Sequence, residues 1–344
     1  MNTYDTVIVG AGPGGLNCAR ILAQSGVKTL VVERRKQIGQ KVCAGGITWR
    51  GLIRTVPDKL IEHTFTRQVI TTRYQRTCFE EPSPIVATIN RESLGNHMLE
   101  LAEEAGAEVI TDSYADTISD GQITIRTSDR RRHVHFDYLV GADGSGSRVR
   151  HYLGLPSNRT AKGIGINYKI RGCGEPDMIW NFDSSRFGSG YSWIFPHGDH
   201  ASIGAYVGIP SVSANQLKNG LDRWITGLGI DSGHASIEAD LVNWDYRGWR
   251  FGTIFLVGDA AGLASPLTGE GINPAFVSGE CVARTIIDPN YRGTQLETII
   301  KRHRNHKYML KTASKSRIIS TVLSEMSAVL LRYRLLHFKH FEMA

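Results

Sequence analysis

Residues 4–33 read YDTVIVGAGPGGLNCARILAQSGVKTLVVE, and this stretch decides the fold. Residues 4–9 are apolar and β-branched, as in a buried parallel strand. A glycine-rich turn follows, and residues 14–25 then show small and apolar positions that predict a helix packed on a sheet. Residues 28–33 predict a second buried strand. The stretch therefore predicts a βαβ unit and an α/β fold with a parallel sheet.

The turn of this unit contains the motif Gly10-x-Gly12-x-x-Gly15. The first glycine permits a tight turn, the second lets the backbone approach a pyrophosphate, and the third allows close helix–strand packing. Glu33 ends the second strand, where a carboxylate accepts hydrogen bonds from ribose hydroxyls. Since strand, turn, helix and acid follow in this order, we expect a dinucleotide site rather than a plain glycine turn.

A second motif specifies the dinucleotide. Residues 253–258 predict a buried strand, so Asp259 lies at a carboxyl end, where parallel sheets bind ligands. A carboxylate there can hold a ribityl chain. Gly271 and Ile272 begin a predicted helix whose positive end would stabilise a reduced flavin ring. Alone, this motif also fits a strand–loop–helix with a capping aspartate; together with the first it predicts FAD.

The order of these patterns predicts an α/β (α+β) protein with an interrupted cofactor domain. Residues 1–160 and 250–290 are expected to form a discontinuous FAD-binding, Rossmann-like domain. Residues 161–249 are rich in aromatics, glycine and alternating patterns, which predicts an inserted antiparallel-sheet substrate domain. Residues 291–344 are expected to form a basic, helical C-terminal segment.

The charge is concentrated at one end of the chain. The protein has 344 residues and a net charge of +7, but residues 301–344 contain ten Lys or Arg and two acids, a net of +8. Basic residues also flank an apolar stretch over residues 318–331, which suits peripheral contact with an anionic membrane. A helical cap packed on the protein body is the alternative. Nucleic-acid binding is not expected, because the positive charge is confined to a segment rich in aliphatics.

Five scattered cysteines without a C-x-x-C spacing argue against a disulfide framework and against a metal site. The N-terminus enters a strand pattern directly, without the pattern of a secretory signal. No apolar run is long enough to predict a spanning helix. We therefore expect a cytoplasmic protein, with any membrane contact at the inner face. The oligomeric state is left open.

Three motifs together resemble a known group of flavoproteins. The glycine motif with Glu33, GADGSGSRVR at residues 141–150 and GDAAG…GEGI at residues 258–272 resemble the FAD-dependent group that includes para-hydroxybenzoate hydroxylase. The resemblance extends over residues 4–290 and implies the same FAD-binding fold.

Two further segments resemble the geranylgeranyl reductase family, which uses FAD to reduce isolated double bonds of polyprenyl chains. KVCAGG at residues 41–46 resembles its K-x-C-G-G segment, with Ala44 in place of a glycine. YSWIFP at residues 191–196, followed by Gly204, resembles its Y-x-W-x-F-P…G substrate motif. The resemblance implies FAD contacts at Gly14, Glu33, Arg34, Cys43, Ala44, Arg91, Ala115, Asp259, Gly271 and Ile272.

Reduction of an isolated alkene passes through a state with cationic character, which favours a dry site lined by aromatic rings. Tyr191, Trp193 and Phe195 alternate along one strand and therefore face one side. With Pro196 they are the candidate substrate-binding residues; three aromatics in an ordinary sheet core are the alternative. Cys43 is the candidate catalytic residue, as a proton donor or a group that shapes the flavin surroundings. The alternative for it is a small buried apolar side chain.

The leading hypothesis is thus an FAD-dependent oxidoreductase that reduces carbon–carbon double bonds of an apolar isoprenoid substrate. An FAD-dependent aromatic hydroxylase is the alternative on the same scaffold. A non-catalytic, membrane-peripheral flavoprotein redox sensor is a third possibility, suggested by the basic C-terminal segment. The electron donor is left open between NAD(P)H, ferredoxin and a quinol.

Overall fold

A computed structural model describes residues 2–48, 56–155, 158, 161–208, 212–233 and 235–343. Its strands are β1 (Asn2–Val9), β2 (Thr29–Val32), β3 (Gly46–Thr48), β4 (Ile61–Phe65), β5 (Arg67–Thr72), β6 (Arg76–Glu80), β7 (Val86–Ile89), β8 (Glu108–Ile110), β9 (Tyr114–Ser119), β10 (Gln122–Arg126), β11 (Arg131–Gly141), β12 (Lys162–Arg171), β13 (Met178–Phe182), β14 (Tyr191–Pro196), β15 (His200–Val207), β16 (Glu238–Asn243), β17 (Arg250–Phe251) and β18 (Ile254–Leu256). Its α-helices are α1 (Pro13–Gln24), α2 (Arg91–Glu104), α3 (Arg148–Tyr152), α4 (Ser184–Phe187), α5 (Ala214–Gly227), α6 (Gly258–Ala261), α7 (Ile272–Ile287), α8 (Thr294–Ala313) and α9 (Arg317–Arg332). The predicted mixture of an α/β body, an antiparallel sheet and a helical C-terminal region is confirmed.

The cofactor-binding part is built on a sheet with the strand order β17-β18-β11-β1-β2-β8, to which β10 and β9 are added beside β11. Strands β1, β2, β8, β11 and β18 are parallel neighbours, so their carboxyl ends share one edge. The buried β1 ends at Val9, which pairs with Val32 on one side and with Gly141 on the other. The first glycine turn and the loop after β18 therefore lie at neighbouring ends of this sheet.

The tight turn after β1 depends on Gly10. Its φ is +106°, and a Cβ there would lie 2.4 Å from the carbonyl oxygen of Ala142. Only glycine adopts this conformation at low cost in so narrow a space. Helix α1 then begins with Pro13 and buries Leu16, Ala19 and Leu22 against the sheet. The predicted βαβ unit is confirmed.

A second sheet has the order β16-β12-β15-β14-β13-β5-β6. Its strands from residues 162–243 pair antiparallel, and one face packs aliphatic side chains such as Ile194 and Ile203 against Leu217 and Leu221 of α5. The opposite face carries the aromatic side chains of β14 and β13. Because side chains alternate along a strand, Ile194 and the aromatics on either side of it point to opposite faces.

One feature of this second sheet differs from the expected division of the chain. Strands β5 and β6 join it, since Gln68 pairs in parallel with Met178 of β13. The sequence prediction placed all residues before 161 in the FAD-binding domain. Val69 and Ile70 continue the two faces of β13 and are buried there. This burial explains why β5 joins the second sheet. The expected boundary at residue 160 lies outside the described residues.

The C-terminal helices cover the second sheet. Helix α9 packs on β5, β6 and α4, and Ala328 and Leu331 are its buried contacts on that side. Within the part of the chain that the structure describes, no helix combines the length and the apolar character needed to cross a bilayer.

Candidate functional site

A cavity of about 580 Å³ lies between the two sheets. Its walls combine the ends of the first sheet, the aromatic face of the second, and side chains of α8 and α9. A narrower cleft of about 190 Å³ runs beside β1 and β2, and both spaces are bordered by Gly12, Lys41 and Arg91. An elongated cofactor could therefore extend from the cleft into the cavity.

The cleft collects the residues predicted for the adenosine and pyrophosphate. They are Gly10, Gly12, Glu33, Arg34, Arg91 and Ala115. The Glu33 carboxylate accepts hydrogen bonds from the backbone N–H of Ala11 at 2.7 Å and of Arg35 at 2.8 Å. It is thereby held at the end of β2, with lone pairs left for further donors. Gly15 does not line the cleft; it allows α1 to pack on the turn, where a Cβ would lie 2.1 Å from the Gly10 oxygen.

The surroundings of Arg91 indicate whether the cleft fits an anionic cofactor. It begins α2, after Asn90 has capped that helix by accepting from the N–H groups of Glu92 and Ser93. Its Nη1 is buried and has no hydrogen-bond partner within the described residues. Burial lowers the pKa of Arg91, while the nearby Cys43 raises it. Since a buried guanidinium N–H group without an acceptor is costly, this arrangement fits a diphosphate lying against Nη1 of Arg91.

Asp259 lies across the cavity at the end of β18, in α6. Its Oδ2 lies 2.7 Å from Nζ of Lys41, and its side chain is nearly buried. Burial alone would lower the pKa of Lys41, but the Asp259 carboxylate raises it above the ordinary value. A Cβ on Gly271 would lie 3.1 Å from Asp259 Oδ1, so this carboxylate adjoins the start of α7. Gly271 has no side-chain cap, which leaves N–H groups of this helix end available to a ligand.

Cys43 and Ala44 lie in the loop between β2 and β3 and line the cavity. The Cys43 Sγ accepts a hydrogen bond from the N–H of Gly45 at 3.3 Å. Nε2 of His197 lies 3.0 Å from the Ala44 oxygen, and its Nδ1 contacts the carboxylate of Glu62. His197 lowers the pKa of Glu62 through this contact. The loop that carries the thiol is thus tied to the second sheet.

The aromatic side chains of β14 form the cavity wall. Tyr191, Trp193 and Phe195 are all buried and line the cavity, and neighbouring ring centroids lie 5.8 and 6.0 Å apart. Trp180 of β13 adds a ring 4.7 Å from that of Phe195. Pro196 does not line the cavity; its carbonyl accepts a hydrogen bond from Thr88 Oγ1 at 2.8 Å.

The structure brings most of the predicted residues together and adds three that sequence reasoning missed. Lys41 stands in the KVCAGG segment itself, and His197 directly follows YSWIFP, so both were near a recognised signal. Glu270 stands inside the GEGI segment and lines the cavity. No periodicity could have indicated that Lys41 meets Asp259, that His197 meets the Ala44 oxygen, or that Glu270 lines the same cavity as the aromatic wall. Their assignment to a cofactor or substrate, like that of the predicted residues, stays a prediction.

Comparison with known proteins agrees with this geometry. Residues 3–169 match a family model described as an FAD binding domain. A digeranylgeranylglycerophospholipid reductase of Picrophilus torridus is 30% identical over 81% of this chain and 77% of its own length. A protein of the same name from Thermoplasma acidophilum is 28% identical over 92% of this chain and 88% of its own length.

A solved structure supports the same relationship. The crystal structure of a geranylgeranyl bacteriochlorophyll reductase-like protein from Thermoplasma acidophilum matches with a TM-score of 0.83 at 25% identity, covering 96% of this chain and 92% of that chain. FAD is therefore the cofactor of this protein. The chain belongs to the geranylgeranyl reductase family of FAD-dependent oxidoreductases.

Proposed function

We propose that this protein reduces carbon–carbon double bonds in the prenyl chain of an isoprenoid lipid. The observation that carries the proposal is the cavity wall of buried aromatic rings, which adjoins the residues expected to hold the flavin. The relatives named digeranylgeranylglycerophospholipid reductase support the class of substrate. An apolar, ring-lined space suits a prenyl chain and excludes water from the reacting carbons.

Each cofactor-facing group has a role in this proposal. Arg91 pairs with the pyrophosphate, Glu33 accepts from the adenosine ribose, and Asp259 accepts from the ribityl hydroxyls. The N–H groups at Gly271 and Ile272 face the flavin ring, where they stabilise negative charge. Lys41 holds the Asp259 carboxylate in place through their ion pair.

FAD held by these residues in its reduced form would supply one hydrogen with two electrons to one alkene carbon, and the other carbon would need a proton. Positive charge that develops between these events is stabilised by the faces of Tyr191 and Trp193. His197 and Glu62 hold the Cys43 loop in place against the cavity. The protein's residues therefore position the prenyl chain, exclude water from it and stabilise the developing positive charge.

The experiment uses the purified holoenzyme, reduced under anaerobic conditions and mixed with geranylgeraniol or a geranylgeranyl glycerophospholipid. We expect reoxidation of the flavin and a product that is heavier by two hydrogens for each reduced bond, measured by mass spectrometry. Absence of a mass gain across geranyl, farnesyl and geranylgeranyl substrates would contradict the proposal. Oxygen uptake coupled to a phenolic substrate would instead favour an aromatic hydroxylase.

Peripheral contact with an anionic membrane is the second part of the proposal. Ile318, Val322, Met326 and Val329 form one exposed face of α9, and Ile318 is 76% exposed. Residues 301–344, which include α9, carry a net charge of +8. An apolar helix face within a basic segment suits the interface of a bilayer that contains anionic lipids.

The position of this face suits the substrate as well. Tyr308 of α8 and Leu323 of α9 line the cavity and are also exposed, so the cavity reaches the surface between these helices. A prenyl lipid held in the bilayer would enter the cavity there without crossing water. The inner face of the membrane is the proposed place of contact, and the protein is expected in the cytoplasm.

Replacing both Ile318 and Met326 by Asp is expected to weaken binding to phosphatidylglycerol vesicles at least tenfold in a sedimentation assay. The reason is the loss of two exposed apolar contacts and the addition of two charges that anionic lipid repels. Leu228→Asp is the matched control, because Leu228 is 48% exposed and lies at the end of α5. Equal binding of the double variant and the wild type would contradict membrane contact through α9.

A further inference from the structure

The carboxyl group of Glu270 lies in the cavity and has no role in the proposed function. Glu270 lies between two glycines immediately before α7, and its side chain lines the cavity. Its Oε2 accepts a hydrogen bond from the N–H of Met343 at 2.9 Å. The C-terminal segment is therefore in direct contact with this carboxyl group. A second cavity acid, Asp259, is already paired with Lys41.

The surroundings of Glu270 favour the protonated form. Burial raises the pKa of Glu270 to about 7, against the opposing hydrogen bond from Met343. Glu342 raises this pKa further, whereas Arg302 lowers it. Nη1 of Arg302 donates a hydrogen bond of 3.0 Å to the backbone carbonyl oxygen of Glu342. A carboxylic acid is thus present at neutral pH in a large share of molecules, as general acid catalysis requires.

The position of Glu270 also suits a proton donor. Tyr191 of the aromatic wall donates a hydrogen bond of 2.6 Å to the oxygen of Thr268, two residues before Glu270. The pKa of Tyr191 is raised by burial and then by Cys43 and Glu270, so both groups lie within electrostatic reach of its hydroxyl. Glu270 precedes Gly271 and Ile272, which are expected to contact the flavin. It therefore lies where the aromatic wall meets the flavin end of the cavity.

We propose that Glu270 is the acid that protonates the second alkene carbon, an inference that rests on the proposed function. The O–H bond of Glu270 breaks, and its proton forms a C–H bond with the π electrons of the substrate. The other carbon receives a hydrogen with two electrons from reduced FAD, so one double bond gains two hydrogens and the flavin becomes oxidised. The Glu270 carboxylate recovers its proton from solvent, and two electrons from NAD(P)H, or one electron from each of two reduced ferredoxins, reduce the flavin again.

The test compares reduced wild-type holoenzyme with Glu270→Gln in an anaerobic single turnover on geranylgeraniol. The glutamine oxygen can still accept from Met343, so the variant keeps the hydrogen bond and is expected to fold. We expect flavin reoxidation at pH 6.5 to be about 100- to 10,000-fold slower in the variant, the range of a lost general acid. The wild-type rate should fall about tenfold per pH unit above pH 7, and the residual rate of the variant should not depend on pH.

Glu342→Gln is the matched control, because it neutralises the neighbouring buried carboxyl group. It should keep the maximal rate and move the pH profile to lower pH, since Glu342 raises the pKa of Glu270. A readout without substrate is infrared titration of the oxidised holoenzyme. A carboxylic-acid band that disappears around pH 7 in wild type should be missing in Glu270→Gln.

The outcomes separate the two proposals. A wild-type enzyme that reduces geranylgeraniol, with Glu270→Gln at the same rate and pH profile, overturns the role of Glu270 alone. A titrating band that persists in Glu270→Gln also overturns it. A wild-type enzyme that reduces no prenyl substrate overturns the proposed function and this inference with it.

Discussion

Gly12→Ala is expected to give a folded apoprotein whose affinity for FAD is at least about 100-fold lower, a loss of about 2.7 kcal/mol. A Cβ on Gly12 would have one described neighbour within 4 Å, the Ala142 oxygen at 3.9 Å, and its φ of −75° is open to alanine. The protein itself therefore has room for a methyl group. A pyrophosphate that approaches this backbone closely leaves no room for that methyl group. Fluorescence titration of apoprotein with FAD, together with its melting temperature, measures both effects.

Gly279→Ala is the control for packing in the same region. Its Cβ would lie 2.2 Å from the Gly14 oxygen, where α7 crosses α1. We expect about 1–3 kcal/mol of destabilisation, as for other overpacked contacts, and a lower melting temperature of the apoprotein. If Gly12→Ala bound FAD as wild type does, the pyrophosphate would have to lie elsewhere.

Tyr191→Leu is expected to slow the single-turnover reduction of a prenyl substrate about 30-fold, whereas Tyr191→Phe keeps most of the rate. A desolvated cation over an aromatic face gains about 2 kcal/mol, which corresponds to about 30-fold in rate. Leucine keeps an apolar wall but has no π face, and phenylalanine loses only the hydrogen bond to Thr268. Rates of flavin reoxidation, compared at saturating substrate, measure the difference.

Phe79→Leu controls for lost packing in the same cluster. Phe79 is buried with the aromatic wall and stacks on Phe338, but it does not line the cavity. It should lower the stability of the protein as Tyr191→Leu does. The rate should stay within about threefold of wild type, because Phe79 contributes packing to this cluster but does not line the cavity where the substrate reacts. A Tyr191→Leu enzyme as fast as Tyr191→Phe would mean that the ring acts through shape alone.

The predicted elements near the N-terminus agree closely with the structure because their signals are local. The predicted strands at residues 4–9 and 28–33 correspond to β1 and β2, and the predicted helix at residues 14–25 corresponds to α1. Apolar periodicity and the glycines of the first turn act over a few residues, so the sequence pattern carries them directly. Family motifs then identified the cofactor and the kind of reaction.

Strands β5 and β6 show that a local sequence pattern does not indicate which strands pair with each other. Both strands precede residue 100, yet β5 pairs with β13, more than 100 residues later, and β6 pairs with β5. Their alternation predicts a strand but not its partner, since the free energy of pairing depends on neighbours brought together by the whole chain. Sequence order alone therefore did not indicate that β5 and β6 belong to the second sheet.

The sequence by itself determined an FAD-binding α/β fold, its glycine turn with Glu33, the carboxylate at Asp259 and an aromatic strand at residues 191–195. Only the tertiary structure decided that the aromatic face closes a cavity at the start of α7 and that Nη1 of Arg91 is buried without a hydrogen-bond partner among the described residues. It also decided that the C-terminal segment contacts Glu270. Periodicity and motifs report which residues share a face; burial, ion pairing and pKa depend on what the packed chain places opposite that face.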